Sequence, residues 1–132
     1  MRCLLVDDSP GFLQAARRLL ERQGIAVVGV ASTTAEALQE VARLRPDVTL
    51  VDIQLGIESG FDVARLFARG APPVSSPVIL ISTHAEQDYA DLIAASPAVG
   101  FLAKPTLSAE AIHDLLGRRN GDGEPVSGLP GR

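Results

Sequence analysis

The chain has few aromatic residues and no dense group of basic residues. Among 132 residues there is no tryptophan, one tyrosine and four phenylalanines, and the formal net charge is −4. Base-stacking surfaces need aromatic side chains, and duplex binding needs a concentrated positive face. Adjacent basic residues occur only as pairs such as Arg118-Arg119. We therefore expect no direct binding of nucleic acid by this chain.

Cysteine and long apolar segments are also scarce. A single cysteine, Cys3, cannot form an intramolecular disulfide, and we interpret it as a buried, unreactive thiol. The apolar runs are strand-sized and fall short of the ~20 residues that span a membrane. The N-terminal run meets Asp7 and Asp8 almost at once, which is unlike a signal peptide. A cytoplasmic protein without membrane association is the prediction.

Five short apolar runs alternate with helical patterns along the chain, whose composition is 46% hydrophobic. The predicted strands are residues 2–6, 25–30, 48–51, 78–81 and 99–103. Ser9, Thr33 and Ser108 are placed to cap the first, second and fifth helices. Near-continuous apolar strands are typical of a parallel sheet covered on both faces. The pattern therefore predicts an α/β doubly wound (βα)₅ sandwich with a five-stranded parallel sheet.

The domain limits follow from composition. Residues 1–117 carry the alternating pattern and are predicted to form one domain. Residues 118–132 are rich in glycine, proline and polar side chains, which is typical of a disordered tail or linker. Residues 72–77 form a proline-rich connector between the third helix and the fourth strand.

Polar residues follow four of the predicted strands. They are Asp7-Asp8, Asp52, Ser82-Thr83 and Lys104. In a doubly wound fold these strand ends meet in one crevice. Three carboxylates there repel one another unless a cation neutralises them, and Mg²⁺, with Mn²⁺ as an alternative, suits such oxygen ligands. An aspartate can then act as a nucleophile in aspartyl-phosphate formation, with Lys104 and Ser82 stabilising the transferred group.

Four segments carry a family resemblance. Residues 4–9 supply the opening strand with its acidic pair, and residues 51–53 supply an aspartate-bearing strand with Gly60 eight residues after Asp52. Residues 78–82 end in a hydroxyl residue, and residues 100–105 end in Lys104-Pro105. Together these segments resemble the receiver domains of two-component response regulators. The resemblance covers residues 1–117 and implies their flavodoxin-like fold.

The resemblance also implies roles for individual residues. Asp52 would accept a phosphoryl group from a histidine kinase or a phosphotransfer protein, as in a phosphorelay. Mg²⁺ would be bound by Asp8 directly, by Asp7 through water, by Asp52, and by the backbone carbonyl of Gln54. A homodimer or a protein effector would receive the signal. The chain would not be an enzyme beyond its own phosphorylation and dephosphorylation.

A conformational switch is implied as well. Ser82 would move to hydrogen-bond the phosphoryl group, and Phe101 would turn inward as it does so. Lys104 would pair with a phosphoryl oxygen, and the peptide bond to Pro105 would be cis. For Phe101 an ordinary place in the core is the alternative reading.

Two departures from the family pattern stand out. Residues 55–57 read Leu-Gly-Ile where the family often has Met-Pro-Gly, which leaves the conformation of that loop open. Thr83 stands where a small residue is usual, and its side chain could hinder an attacking water. We therefore expect slower dephosphorylation than in a Thr83→Ala variant.

Two other functions are alternatives to the receiver. A phosphatase of the haloacid dehalogenase type needs a second aspartate two residues after the first, and Gln54 is in that position. A receiver-like scaffold that is never phosphorylated has no physical need for Asp8, Asp52, Ser82 and Lys104 together. Both alternatives are therefore less favoured than the phosphorylation switch.

Overall fold

The computed structural model describes residues 1–69 and 76–121, and five of its strands form one parallel sheet. The strands are β1 (Arg2–Val6), β2 (Ala26–Ala31), β3 (Val48–Asp52), β4 (Val78–Ser82) and β5 (Gly100–Ala103). Their order across the sheet is β2-β1-β3-β4-β5, and every neighbouring pair is parallel. The predicted fold class is confirmed, with strand boundaries that differ by about one residue.

In the part of the chain that the structure describes, five α-helices connect or follow the strands. They are α1 (Pro10–Arg22), α2 (Thr34–Leu44), α3 (Gly60–Arg69), α4 (Ala90–Ala94) and α5 (Ala109–Gly121). A 3₁₀ turn over Glu86–Tyr89 directly precedes α4, which is five residues long. Within the described ranges no helix is long and apolar enough to cross a membrane.

The last helix extends past the predicted end of the domain. The backbone of α5 stays helical to Gly121, four residues beyond Gly117. Of the tail predicted over residues 118–132, residues 122–132 lie outside the described residues. Most of the proline-rich connector, residues 72–75, is also outside them. The domain boundary stays a prediction.

The three predicted helix caps are present. The Ser9 hydroxyl accepts a hydrogen bond from the Phe12 N–H at 3.3 Å, and the Ser108 hydroxyl accepts one from the Ala111 N–H at 3.0 Å. Thr33 caps α2 in the same way. These side chains satisfy amide groups that have no partner within the helix, so they fix where each helix begins.

Alternate residues of β1 face two separate apolar layers. Leu4 and Val6 pack in the layer beneath α2 and α3, whereas Cys3 and Leu5 pack in the layer beneath α1 and α5. Helices thus cover both faces of the sheet, as the continuous apolar strands predicted. Cys3 is fully buried, and burial raises the pKa of its thiol to about 12, which fits the predicted unreactive cysteine.

The strand order reverses between β1 and β3. The chain runs from β1 outward to β2 and then returns to the other side of β1 to form β3. Connections from β1 and β3 therefore diverge to opposite faces of the sheet and open a crevice at their carboxyl ends. Asp7 directly follows β1 and Asp52 is the last residue of β3, so both reach this crevice.

Candidate functional site

Three carboxylates meet at the carboxyl ends of β1 and β3. One oxygen from each of Asp7, Asp8 and Asp52 lies within 4.8 Å of the other two. Asp7 is completely buried, Asp52 is 6% exposed, and Asp8 is exposed to solvent. The structure therefore brings together the three acidic residues that the sequence placed in one crevice.

Backbone amides hold one oxygen of each buried carboxylate. Asp7 Oδ1 accepts a hydrogen bond from the Ser9 N–H at 2.8 Å, and Asp52 Oδ1 accepts one from the Gln54 N–H at 3.2 Å. These bonds fix the rotation of both carboxylate groups. The second oxygen of each, Oδ2, is left for contacts across the crevice.

Lys104 makes those contacts from the end of β5. Its Nζ atom lies 2.7 Å from Asp7 Oδ2 and 3.3 Å from Asp52 Oδ2. The contact with Asp7 is an ion pair outside hydrogen-bond geometry. Among the described residues, no group donates a hydrogen bond to this buried oxygen. One ammonium faces three carboxylates, so the ionised site keeps an excess of negative charge.

Burial and the charges of neighbouring groups both change the pKa of Asp52. Its burial is the main cause that raises the pKa of the carboxyl group, and the negative charge of Asp7 raises it further. The Gln54 N–H and Lys104 act in the opposite direction but do not cancel the increase. The ionised form is therefore disfavoured in this site by itself and would be stabilised by an additional cation.

Ser82 ends β4 beside the carboxylate site. Its neighbour Ile81 is the register partner of Asp52, and Ser82 is 2% exposed. The hydroxyl oxygen accepts a hydrogen bond from the His84 N–H at 3.0 Å, which leaves its own O–H available to donate. Thr83 follows with its side chain exposed.

Phe101 lies on β5 next to this strand end and is 8% exposed. It packs in the apolar layer beneath α2 and α3, which is the place in the core that the sequence analysis gave as the alternative. The predicted inward turn on phosphorylation and the cis bond to Pro105 stay predictions.

The loop after β3 forms a small antiparallel ribbon that the sequence analysis missed. Gln54–Leu55 pairs with Glu58–Ser59, and Gly56 and Ile57 form the turn. Gly56 has φ +60°, and glycine in the first of two turn positions is typical of a type II′ hairpin. The Leu-Gly-Ile sequence therefore suits a tight turn, in which glycine takes the position with positive φ. The glycine in this loop was the sequence signal from which the turn could have been predicted.

The ribbon is hydrogen-bonded to the start of α2, and its turn lies close to Asp8 of the acidic cluster. The Glu58 carboxylate accepts a hydrogen bond from the Thr34 N–H at 2.7 Å, and this bond lowers the pKa of Glu58. At the turn, a Cβ atom on Gly56 would lie 3.6 Å from Asp8 Oδ2. Ile57 is fully exposed. The loop that carries Gln54 is thus fixed at both ends.

Comparison with known proteins agrees with this geometry. The family model described as "Response regulator receiver domain" matches residues 3–116. The chain therefore belongs to the receiver domains of two-component response regulators, which accept a phosphoryl group in signal transduction.

Individual relatives are moderately similar to the chain. A protein-glutamate methylesterase/protein-glutamine glutaminase from Syntrophus aciditrophicus is 36% identical over 83% of this chain and 31% of its own length. The sensory transduction protein LytT from Bacillus cereus is 31% identical over 80% of this chain and 42% of its own length. The signal receiver domain of NarL from Mycobacterium tuberculosis is 31% identical, with a TM-score of 0.76 over 91% of this chain and 96% of that domain. The chain spans less than half the length of both curated relatives.

Proposed function

We propose that Asp52 is the phosphoacceptor of this receiver domain. The observation that carries the proposal is the 3.3 Å contact between Asp52 Oδ2 and Lys104 Nζ. The other oxygen of the same carboxylate, Oδ1, accepts a hydrogen bond from the Gln54 N–H. Asp7 is completely buried and therefore closed to a phosphodonor. Asp52 combines a fixed orientation with a side chain that is 9% exposed, against 0% for Asp7, and with Ser82 at the end of the adjacent strand.

The acidic cluster fits a divalent cation with oxygen ligands. Among the described residues no group donates a hydrogen bond to the buried Asp7 Oδ2, and three carboxylates stand within 4.8 Å of one another. We infer that Asp8 and Asp52 would bind Mg²⁺ directly, Asp7 through water, and the Gln54 carbonyl as the remaining protein ligand; Mn²⁺ would suit the same oxygens. The bound ion would neutralise charge on the phosphoryl oxygens.

Phosphorylation then follows from the positions of the side chains. Asp52 Oδ2 attacks the phosphorus atom of a phosphohistidine, the P–O bond forms as the P–N bond breaks, and the electron pair of that bond stays on the imidazole nitrogen. Lys104 stabilises one phosphoryl oxygen by its charge, and Ser82 donates its free O–H to another. Ser82 and Phe101 are the residues whose rearrangement would signal the phosphorylated state.

The phosphodonor is proposed to be a histidine kinase or a phosphotransfer protein in the cytoplasm. The recipient of the signal would be a second copy of the chain or a protein effector, not nucleic acid. The methylesterase activity of some relatives does not extend to this proposal, because their match to this chain covers about a third of their length or less. Catalysis by this chain would be limited to its own phosphorylation and dephosphorylation.

Intact-mass measurement after incubation with acetyl phosphate and Mg²⁺ tests the proposal. We expect wild-type protein to gain one phosphoryl group, Asp52→Asn to gain none, and Asp8→Asn to gain it only slowly. Asp114→Asn is the matched control, because Asp114 is an exposed aspartate on α5. Phosphorylation of Asp52→Asn at the wild-type rate would refute the assignment. Release of phosphate from many substrate molecules would favour the phosphatase, and an unmodified wild-type protein would favour the scaffold.

A further inference from the structure

An aromatic ring lies against the ammonium group of Lys104. The Phe12 ring centroid is 4.3 Å from Lys104 Nζ, within the range of a cation–π interaction. Phe12 is in the first turn of α1 and is half-buried, packed against the apolar layer beneath α1 and α5. We propose that Phe12 is a positioning residue for Lys104, and this inference rests on the proposed function of the site.

The position of the ring is set by the acidic site itself. Asp7 Oδ1 binds the Ser9 N–H, and the Ser9 hydroxyl binds the Phe12 N–H. Asp7 Oδ2 pairs with Lys104, whose ammonium lies over the Phe12 ring. The four residues therefore form a closed circuit of contacts, in which the cap of α1 places the ring at a fixed distance from the carboxylate.

Lys104 needs such support because its side chain is flexible. Ordering a lysine side chain costs considerable rotamer entropy, and its ammonium is attracted to water. Here the side chain is only 12% exposed, with two carboxylate oxygens and the ring around Nζ. The ring restricts the conformations that lead away from Asp52.

The ring also suits a lysine that changes partners. The ion pair with Asp7 depends on a short distance between the two groups and would be lost if Lys104 moved to a phosphoryl oxygen. Attraction to the face of an aromatic ring tolerates such a shift, because the negative potential extends over the whole face. Phe12 would therefore continue to stabilise the ammonium when its contact with Asp7 is released.

Phosphorylation rates of two Phe12 variants test the inference. Phe12→Leu keeps an apolar side chain and a good helix former but removes the ring face. We expect its rate of phosphorylation by acetyl phosphate to fall by roughly 3- to 30-fold, the range that a cation–π contribution corresponds to. Phe12→Tyr keeps the ring and should react within about twofold of wild type. A wild-type rate for Phe12→Leu would overturn the proposal.

A double-variant comparison separates positioning from general damage to the fold. In a Lys104→Met background, Phe12→Leu should cause no further loss of rate, because the group that it positions is absent. An equal loss in both backgrounds would overturn the proposal and indicate a purely structural role.

The nuclear magnetic resonance signals of Lys104 provide a readout that does not depend on phosphorylation. Its ε-methylene protons should be shifted upfield by the ring current in wild type and Phe12→Tyr and should return to ordinary values in Phe12→Leu. Ordinary values in all three proteins would overturn the inference. If wild-type protein is not phosphorylated but the ring-current shift is present, the proposed function fails while the contact between Phe12 and Lys104 stands.

Discussion

Gly60 lies directly against the main chain of Asp52. A Cβ atom at position 60 would stand 2.9 Å from the Asp52 carbonyl carbon and closer still to the carbonyl oxygen. The Gly60 N–H also donates a hydrogen bond to the Ile53 carbonyl at 2.8 Å. The start of α3 is therefore packed on the backbone that carries the proposed phosphoacceptor, and only glycine fits this approach.

Gly60→Ala should accordingly destabilise the protein. The added methyl group must displace backbone atoms, and overpacking of this kind costs about 1–3 kcal/mol. Urea denaturation measures the loss in the free energy of unfolding. Gly117→Ala is the control, because a Cβ atom at that helical position meets no atom of the described residues within 4 Å, and the substitution should be neutral or stabilise by up to about 1 kcal/mol. Equal stability of both variants would contradict the expectation.

Asp52→Asn should raise the free energy of unfolding at neutral pH in the presence of a chelator. Burial and the charge of Asp7 raise the pKa of Asp52, so its ionised form is disfavoured in the folded protein. Stability is therefore lost as pH rises from the ordinary carboxyl value of 3.8 through the raised pKa, and the neutral amide avoids this loss. The advantage of Asn should shrink in acid. An advantage that grows as pH falls would contradict the sign.

Mg²⁺ should stabilise wild-type protein against unfolding through the acidic cluster. A ligand at one hundred times its dissociation constant contributes about 2.7 kcal/mol. Asp8→Asn should lose most of this increase, whereas Asp114→Asn on the exposed surface of α5 should keep it. Thermal unfolding with and without Mg²⁺ gives the comparison. The same Mg²⁺-dependent increase in Asp8→Asn and wild type would argue against the proposed ligand.

Lys104→Met should have opposite effects on phosphorylation and on metal binding. Its ammonium lies 2.7 Å from Asp7 Oδ2, so it neutralises charge that would otherwise attract a cation. Removal of this charge should strengthen Mg²⁺ binding, as measured by titration calorimetry, while phosphorylation by acetyl phosphate slows by an order of magnitude or more, since a stabilising charge is lost. Weaker Mg²⁺ binding in a folded Lys104→Met protein would show that Lys104 does not compete for these carboxylates.

Thr83→Ala should speed the loss of phosphate from the phosphorylated protein. Thr83 is exposed at the end of β4, so the substitution leaves the core intact while it opens a path for water beside Ser82. Decay of the phosphorylated mass over time measures the rate. Thr83→Ser serves as the comparison, because an intermediate rate would indicate side-chain size and a wild-type rate would indicate the hydroxyl. Equal or slower decay in Thr83→Ala would refute the hypothesis.

The strands and the main side chains of the site could be predicted from the sequence. Apolar runs that end abruptly on Asp7, Asp52, Ser82 and Lys104 identify both the strand ends and the residues beyond them. Local rules also sufficed for the caps at Ser9, Thr33 and Ser108, because each cap involves residues only three apart.

Other features required the tertiary structure because they join distant segments of the chain. The burial of Asp7 beside an exposed Asp8 depends on how β1 enters the sheet, and the cation–π contact joins Phe12 to a lysine 92 positions later. The close approach of Gly60 to Asp52 likewise depends on the path of the loop between them. The amino-acid pattern by itself therefore determined which groups meet at the crevice, since parallel strands must place their ends together. Only the tertiary structure decided which carboxylate is buried, which is exposed, and what surrounds the ammonium group of Lys104, because these features depend on how distant segments of the chain pack together.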